Sequence, residues 1–280
     1  MRLSAPGEWP GLPLRIASAL VLAPPALAAL YFGPPYSDVL VCGIGALVAW
    51  EWARLCGRGT LGLPGIALIA TVLTASITAA LGFYSLAGWV IATGTAAAAL
   101  AATRVRLERP LWYAIGGAYL GSAVLAFLWL RADPVSGRAV IFWLVAVVWA
   151  TDVGAYAAGR SIGGPRLAPR ISPGKTWAGL VGGAIAAAIA GILVVLTLAS
   201  ADVGLSGLVG IAIASAVLAV VAQVGDLFES HLKRRAGAKD SSNLIPGHGG
   251  VFDRIDGLLA AALALGGVFR LTGELGHAWL

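Results

Sequence analysis

The chain has 280 residues, of which 59% are hydrophobic and only 11% charged. Soluble domains carry about 25% charged residues, so a water-soluble globular fold is excluded. The net charge of +6 is spread over short loops between apolar runs, a pattern of membrane topology and not of nucleic-acid binding.

The expected fold class is all-α: a polytopic membrane helix bundle of about nine transmembrane helices, since a span needs about 20 mostly apolar residues. In chain order the runs are 14–32, 38–56, 61–81, 85–102, 111–130, 139–158, 176–199, 205–225 and 257–273. Backbone groups must be satisfied inside lipid, so each is read as a helix. Pro24-Pro25 should kink the first. Arg2, Arg15 and the small residues Ala26, Ala28 and Ala29 give that run a faint look of a signal peptide, but it is long and proline-interrupted. Cys42 and Cys56 fall on the second run, about 21 Å apart along a helix, too far to pair with each other. Gly43, Gly45, Gly182, Gly183, Gly266 and Gly267 are expected to let helices approach closely. Glu51, between Trp50 and Trp52, is expected near an interface, bonding Arg54 or a neighbouring helix. No polar linker interrupts the runs, so residues 1–280 read as one integral membrane domain. Its N-terminal half is expected to be mainly scaffold, with 149–183 and 226–256 as the charge-rich segments.

With the N-terminus in the cytoplasm, sixteen of the 19 Lys and Arg residues fall on the cytoplasmic side, Arg2 among them, leaving Arg131, Arg138 and Arg270 outside. That bias supports both the count and the direction.

Ten charged residues lie between Asp226 and Asp256. Charge beside a bilayer core is costly, so the cluster is a site hypothesis by default. Gln223, Asp226, Ser230 and Lys233 share one face if the eighth helix continues. Lys233, Arg234, Arg235 and Lys239, broken by Gly237 and Asp240, suit a polyphosphate, with Arg235 the best candidate for a lipid anchor. Pro246, Gly247, Gly249 and Gly250 form a turn that can approach a ligand, and His248 suits phosphate contact or loop ordering. Asp253 and Asp256 fall on one face of a helix starting there. Such hard oxygen ligands suit Mg²⁺.

In the other loop, Asp152 lies near the end of the sixth run, followed by Tyr156, Arg160, Arg166, Arg170 and Lys175. The run SPGKT is not a P-loop, because Pro169 stands where the first glycine must be. Ser172 and Pro173 are read as the cap and first turn of the seventh helix. A helix start there could bind phosphate.

Ser230, Leu232, Lys233, Arg234, Lys239, Asp240, Ser242, Ile245, Pro246, His248, Gly249, Gly250, Val251, Asp253, Arg254, Ile255 and Asp256 together resemble the signature of the phosphatidate cytidylyltransferases, the CDP-diacylglycerol synthases. Thr151, Asp152, Ala155, Tyr156, Gly159, Arg160, Gly163, Leu167, Pro169, Ser172, Pro173, Lys175, Thr176, Trp177 and Gly179 resemble that family's second motif. Gly174 and Ala178 depart from its usual basic and acidic residues. The first hundred or so residues match only in hydropathy.

The resemblance implies CTP and phosphatidic acid as substrates, CDP-diacylglycerol and pyrophosphate as products, and Mg²⁺ with room for a second cation. It implies a homodimer of multi-span subunits in the bacterial inner membrane, among membrane lipids and without nucleic acid. Asp226 and Asp253 match the expected metal positions. Asp226, Lys233, Arg234, Lys239, Asp240, Asp253, Arg254 and Asp256 would be catalytic. Asp152, Arg160, Ser172, Lys175, Thr176, Ser230, His248, Gly249 and Gly250 would bind substrate. Two readings compete: a related CTP-dependent enzyme acting on another lipid, and a transporter using Asp152 and Asp226 as relay groups. The second would favour repeated halves, and the sequence has none.

Overall fold

A computed structural model describes residues 12–107, 109–198 and 203–272. Arg2 and the last residues of the seventh and ninth expected runs lie outside them. The described residues form α1 (Leu12–Phe32), α2 (Tyr36–Cys56), α3 (Gly62–Ala80), α4 (Tyr84–Arg104), α5 (Leu111–Ala132) and α6 (Gly137–Ser161). A short antiparallel hairpin follows, β1 (Arg166–Ala168) and β2 (Ser172–Thr176), then α7 (Trp177–Leu198), α8 (Leu205–Arg235) and α9 (Phe252–Thr272). All nine helices are long and apolar enough to cross a membrane. The expected multi-pass, all-α bundle is what forms, and α1 stays continuous through Pro24 and Pro25.

Two helices differ from the apolar runs in a way that matters for the site. α8 continues through the charged residues to Arg235, and α9 begins at Phe252. Hydropathy ends a span where charge begins, whereas the backbone keeps its hydrogen-bond ladder as long as the side chains find partners. A third difference is a correction. Ser172 and Pro173 do not cap α7; they lie in β2. The cap is Thr176, whose Oγ1 accepts the Gly179 N–H at 3.0 Å, the usual N-cap geometry.

The helices pack through small residues and one aromatic knot. α6 lies against α7 with Gly159 facing Gly179, and with Gly154 facing Ala186 and Gly182 facing Ala158 so closely that a methyl group on either of these two glycines would collide. Gly45 and Gly266 are also crowded, but Gly43 and Gly267 face open space, contrary to expectation. Trp52, fully buried, sits among Trp112, Tyr119, Phe228 and Phe252 with ring centroids 5.7–6.2 Å away. Its Nε1 donates to the Trp112 carbonyl at 2.9 Å. Gly116 leaves the space that the indole fills. This knot joins α2, α5, α8 and α9 directly behind the charged segment.

Candidate active site

The site rests on a close crossing of α8 and α9. A Cβ on Gly225 would stand 2.6 Å from the Ala260 Cβ and 2.8 Å from the Asp256 carbonyl. One on Gly257 would stand 3.2 Å from both the Ala222 Cβ and its carbonyl. Each glycine neighbours an aspartate, Asp226 on α8 and Asp256 on α9. Backbone contact at the glycines therefore brings the two carboxylates together. Carboxylate oxygens of Asp226, Glu229 and Asp256 all lie within 4.8 Å of one another.

Cations enter this cluster from two directions. Lys175, at the end of the hairpin, places its Nζ 2.6 Å from Asp226 Oδ2 and donates to Gln223 Oε1 at 2.8 Å. This contact joins the two charged segments that the sequence singled out. Ser230 Oγ donates to Asp226 Oδ1 at 3.3 Å. Lys233 bridges Glu229 Oε2 at 2.6 Å and Asp253 Oδ1 at 2.5 Å. The charge of Asp152, on α6, is felt at Asp226, Lys175 and Arg254. Gln223, Asp226, Ser230 and Lys233 thus lie on one face of the continued α8, as expected.

Asp253 meets the cluster through Lys233, which it shares with Glu229. Its Oδ2 accepts from the Ser241 N–H at 2.9 Å, the Ser241 hydroxyl at 2.9 Å and the Gly250 N–H at 2.8 Å, while Oδ1 takes Lys233. These bonds occupy it as an organiser of the 236–251 loop. Among the described residues it is not part of the carboxylate trio; the partner of Asp226 there is Asp256.

Glu51 follows one of its two expectations, bonding a neighbouring helix, α9. It is fully buried and bonds not to Arg54 but to the same loop. Oε1 accepts from Ser242 Oγ at 2.5 Å and the Val251 N–H at 2.8 Å. Oε2 accepts from the Phe252 N–H at 2.6 Å and Ser241 Oγ at 3.1 Å. The first amides of a helix have no partner within it and favour negative charge. Glu51, from α2, meets that need for α9.

The glycine turn closes on itself and on α1. Ile245 N–H donates to the Gly249 carbonyl at 2.8 Å. Gly247 and Gly249 take φ of 77° and 86°, which a side chain resists. His248 Nδ1 lies 2.8 Å from Ser18 Oγ, so loop ordering is the role its contacts support. Burial first, then the charges of Arg254 and Arg15, hold its imidazole below the ordinary histidine pKa. Arg254 Nε donates to the His248 carbonyl at 3.1 Å, and Arg234 to the Ala238 carbonyl at 3.3 Å. Arg160 bonds Tyr156, and Lys239 and Asp240 are exposed. None of Arg160, Arg234, Lys239 and Asp240 touches the carboxylate trio.

Sequence reasoning missed Glu229, although it sits three residues after Asp226 and four before Lys233, on the face already recognised. A cavity of about 1010 Å³ lies elsewhere: its lining includes Asp240 but none of Asp226, Glu229, Asp253, Asp256 and Lys175.

The trio suits a divalent cation by its chemistry. Among the described residues, Asp226, Glu229, Asp253 and Asp256 face only Lys175 and Lys233 at ion-pair distance. The buried Glu229 Oε1 has no hydrogen-bond partner among the described residues. Uncompensated negative charge of this kind, on hard oxygen donors, is what Mg²⁺ accepts.

A nucleotide-handling membrane enzyme is the class that this fold and site define, and comparison makes the class definite. Residues 13–271 match the model of the cytidylyltransferase family, and the chain belongs to that family: it is a nucleotidyltransferase. It is 41% identical over 265 residues to a phosphatidate cytidylyltransferase of Brucella suis, covering 91% of this chain and 92% of that protein. It is 36% identical to one from Pseudomonas aeruginosa, covering 88% of this chain and 93% of that protein. A Haemophilus influenzae phosphatidate cytidylyltransferase is 45% identical over 129 residues, under half of either chain.

Proposed function

We propose that the chain transfers a cytidylyl group from CTP to phosphatidic acid, giving CDP-diacylglycerol and pyrophosphate at the cytoplasmic face of a bacterial inner membrane and so feeding phospholipid synthesis. The observation that carries this reading is the contact of Lys175 with Asp226 beside Asp256. It unites both charged segments around a carboxylate group at the edge of two spans. In this reading residues 1–280 act as one membrane domain, with 149–183 and 226–256 as its catalytic segments and two copies paired.

The reaction is a displacement in line at the α-phosphorus. A lipid phosphate oxygen forms the new P–O bond as the bond to pyrophosphate breaks. The nucleophile is already ionised, because a phosphate monoester loses its second proton near pH 6, and no strong base is required. Positioning and charge neutralisation remain the main tasks. Asp226 and Asp256 would hold Mg²⁺ with Glu229 behind them, and a second cation would draw on the same donors. Bound there, the ion supplies Lewis-acid stabilisation of phosphate oxygens. Lys175 fixes Asp226 and offers a positive charge at the cluster's mouth. Lys233 holds Glu229 and Asp253, so the loop and the carboxylates keep one spacing. Arg254, exposed beside the glycine turn, would meet the phosphate of a lipid lying in the leaflet.

The test is turnover by purified protein given phosphatidic acid and CTP labelled at the α- or at the γ-phosphorus, with and without Mg²⁺. Label from the α-position in the lipid supports cytidylyl transfer. Label from the γ-position would instead make the chain a CTP-dependent lipid kinase.

A further inference from the structure

The cavity of about 1010 Å³ apart from the carboxylate trio is the feature that the reaction leaves unexplained. Five arginines border it: Arg54, Arg58, Arg106, Arg109 and Arg235, against one described carboxylate, Asp240. They come from four places in the chain: the end of α2, the α2–α3 loop, the α4–α5 loop and the end of α8. Arginines at helix ends that only anchor the protein to headgroups have no reason to converge on one hollow. Glu108, between Arg106 and Arg109 in sequence, lies outside the described residues.

The guanidinium groups are arranged as a binding surface. Arg54 lies over the Trp50 ring at 4.9 Å and Arg235 over Trp112 at 5.8 Å. Stacking holds the planar fork while leaving its N–H edges to a ligand. Arg109 donates to the Arg235 carbonyl at 3.3 Å, tying the α4–α5 loop to the end of α8. Among the described residues, no carboxylate pairs with Arg54, Arg106, Arg109 or Arg235. Arg58 and Arg106 adopt φ of 52° and 54°, the two positive values found at non-glycine residues in the described chain. Side chains resist that region, and such strain clusters at ligand sites. Around α8, Arg235 is nine residues from Asp226, about half a turn away on a helix of 3.6 residues per turn. The cavity and the carboxylates therefore occupy opposite faces of one helix.

The wall between them is the 236–251 loop. Ser241 and Ser242 line the cavity, and the same two hydroxyls bond Glu51, with Ser241 also bonding Asp253. We propose that this cavity is a second anion site, taking the phosphate of a ligand distinct from the reacting pair and bracing the 236–251 loop from behind. The ligand chemistry is a phosphate group met by several forked donors. It belongs either to an anionic lipid headgroup or to a free polyphosphate.

The full-length protein is reconstituted in phosphatidylcholine nanodiscs and treated with phenylglyoxal, and modified arginines are read by peptide mass spectrometry. One arm adds pyrophosphate; the other replaces part of the lipid with phosphatidylglycerol. Arg54, Arg106, Arg109 and Arg235 should be protected together in one arm, which identifies the source. Protection should persist in Asp226→Asn. The double variant Arg106→Gln, Arg109→Gln should weaken protection of Arg54 and Arg235 about tenfold, the loss expected when charged hydrogen bonds are removed. Arg106→Lys, which keeps charge and lacks the fork, should give an intermediate loss and guards against misreading a folding defect. No protection in either arm overturns the site. Protection abolished by Asp226→Asn would assign the anion to the catalytic centre and overturn it equally. Slower amide exchange across 238–244 in the protecting arm is expected; unchanged exchange there would overturn the bracing.

Discussion

Each carboxylate oxygen of Glu51 accepts two hydrogen bonds from the 241–252 stretch. Glu51→Gln keeps the size but turns one acceptor into a donor facing hydroxyls and amides. Hydrogen bonds to charged groups contribute about 1.5–3 kcal/mol each, so a loss of roughly that size is expected, seen as a lower Tm in detergent and reduced turnover. Asp226→Asn and Asp256→Asn should instead leave Tm near normal and lower kcat about 100- to 1000-fold, the scale for removing one electrostatic contributor to a transition state. Mg²⁺ titrations should shift with them. Asp253→Asn should weaken activity through the loop, with Mg²⁺ binding retained; equal loss of Mg²⁺ binding would return Asp253 to the metal. His248 gives a pH effect of defined sign. Its folded pKa lies below the ordinary 6.5, so the unfolded chain takes the proton first as pH falls. Stability is therefore full above pH 6.5 and declines below it. His248→Gln should flatten that decline in melting curves between neutral and mildly acidic pH.

Among the elements, α8 and α9 decide the site because their glycines set the distance between their aspartates. Gly225→Ala should force the pair apart; overpacking of this kind costs about 1–3 kcal/mol and should also lower turnover. Gly267→Ala, on the open face of α9, should be neutral or slightly stabilising in the same melting assay. These elements also show what the chain discloses before it folds. The nine spans were legible because lipid imposes a length and a polarity on each, and the four-residue spacing from Asp226 to Ser230 was legible because α8 had to present one face. Asp256 in place of Asp253 as the neighbour of Asp226 was not legible. Both lie on one side of α9, and the choice is made by Gly257 against Ala222, a contact between helices. The β1–β2 hairpin was hidden for a related reason. Three and five residues with no alternation of polarity carry no strand signal, and Lys175 reaches Asp226 only because that hairpin turns back.

At the scale of the whole molecule, the hairpin, the 236–251 loop and the arginine cavity should share one side. With Cys42 and Cys56 replaced, single cysteines at Arg170 and Lys239 should react with an impermeant maleimide only in inverted vesicles, and one at Val135 only in intact spheroplasts. Reaction of Arg170→Cys and Lys239→Cys from opposite sides would break the orientation given above. The bond from Glu51 to the start of α9 carries a further consequence for how the gene could be divided. A polypeptide starting after α2 would hold every residue of the carboxylate trio, yet its last helix would begin with amides facing no acceptor. Such a fragment should be inactive alone and should regain turnover when residues 1–60 are co-expressed as a separate chain. The rescue should fail when that short chain carries Glu51→Ala.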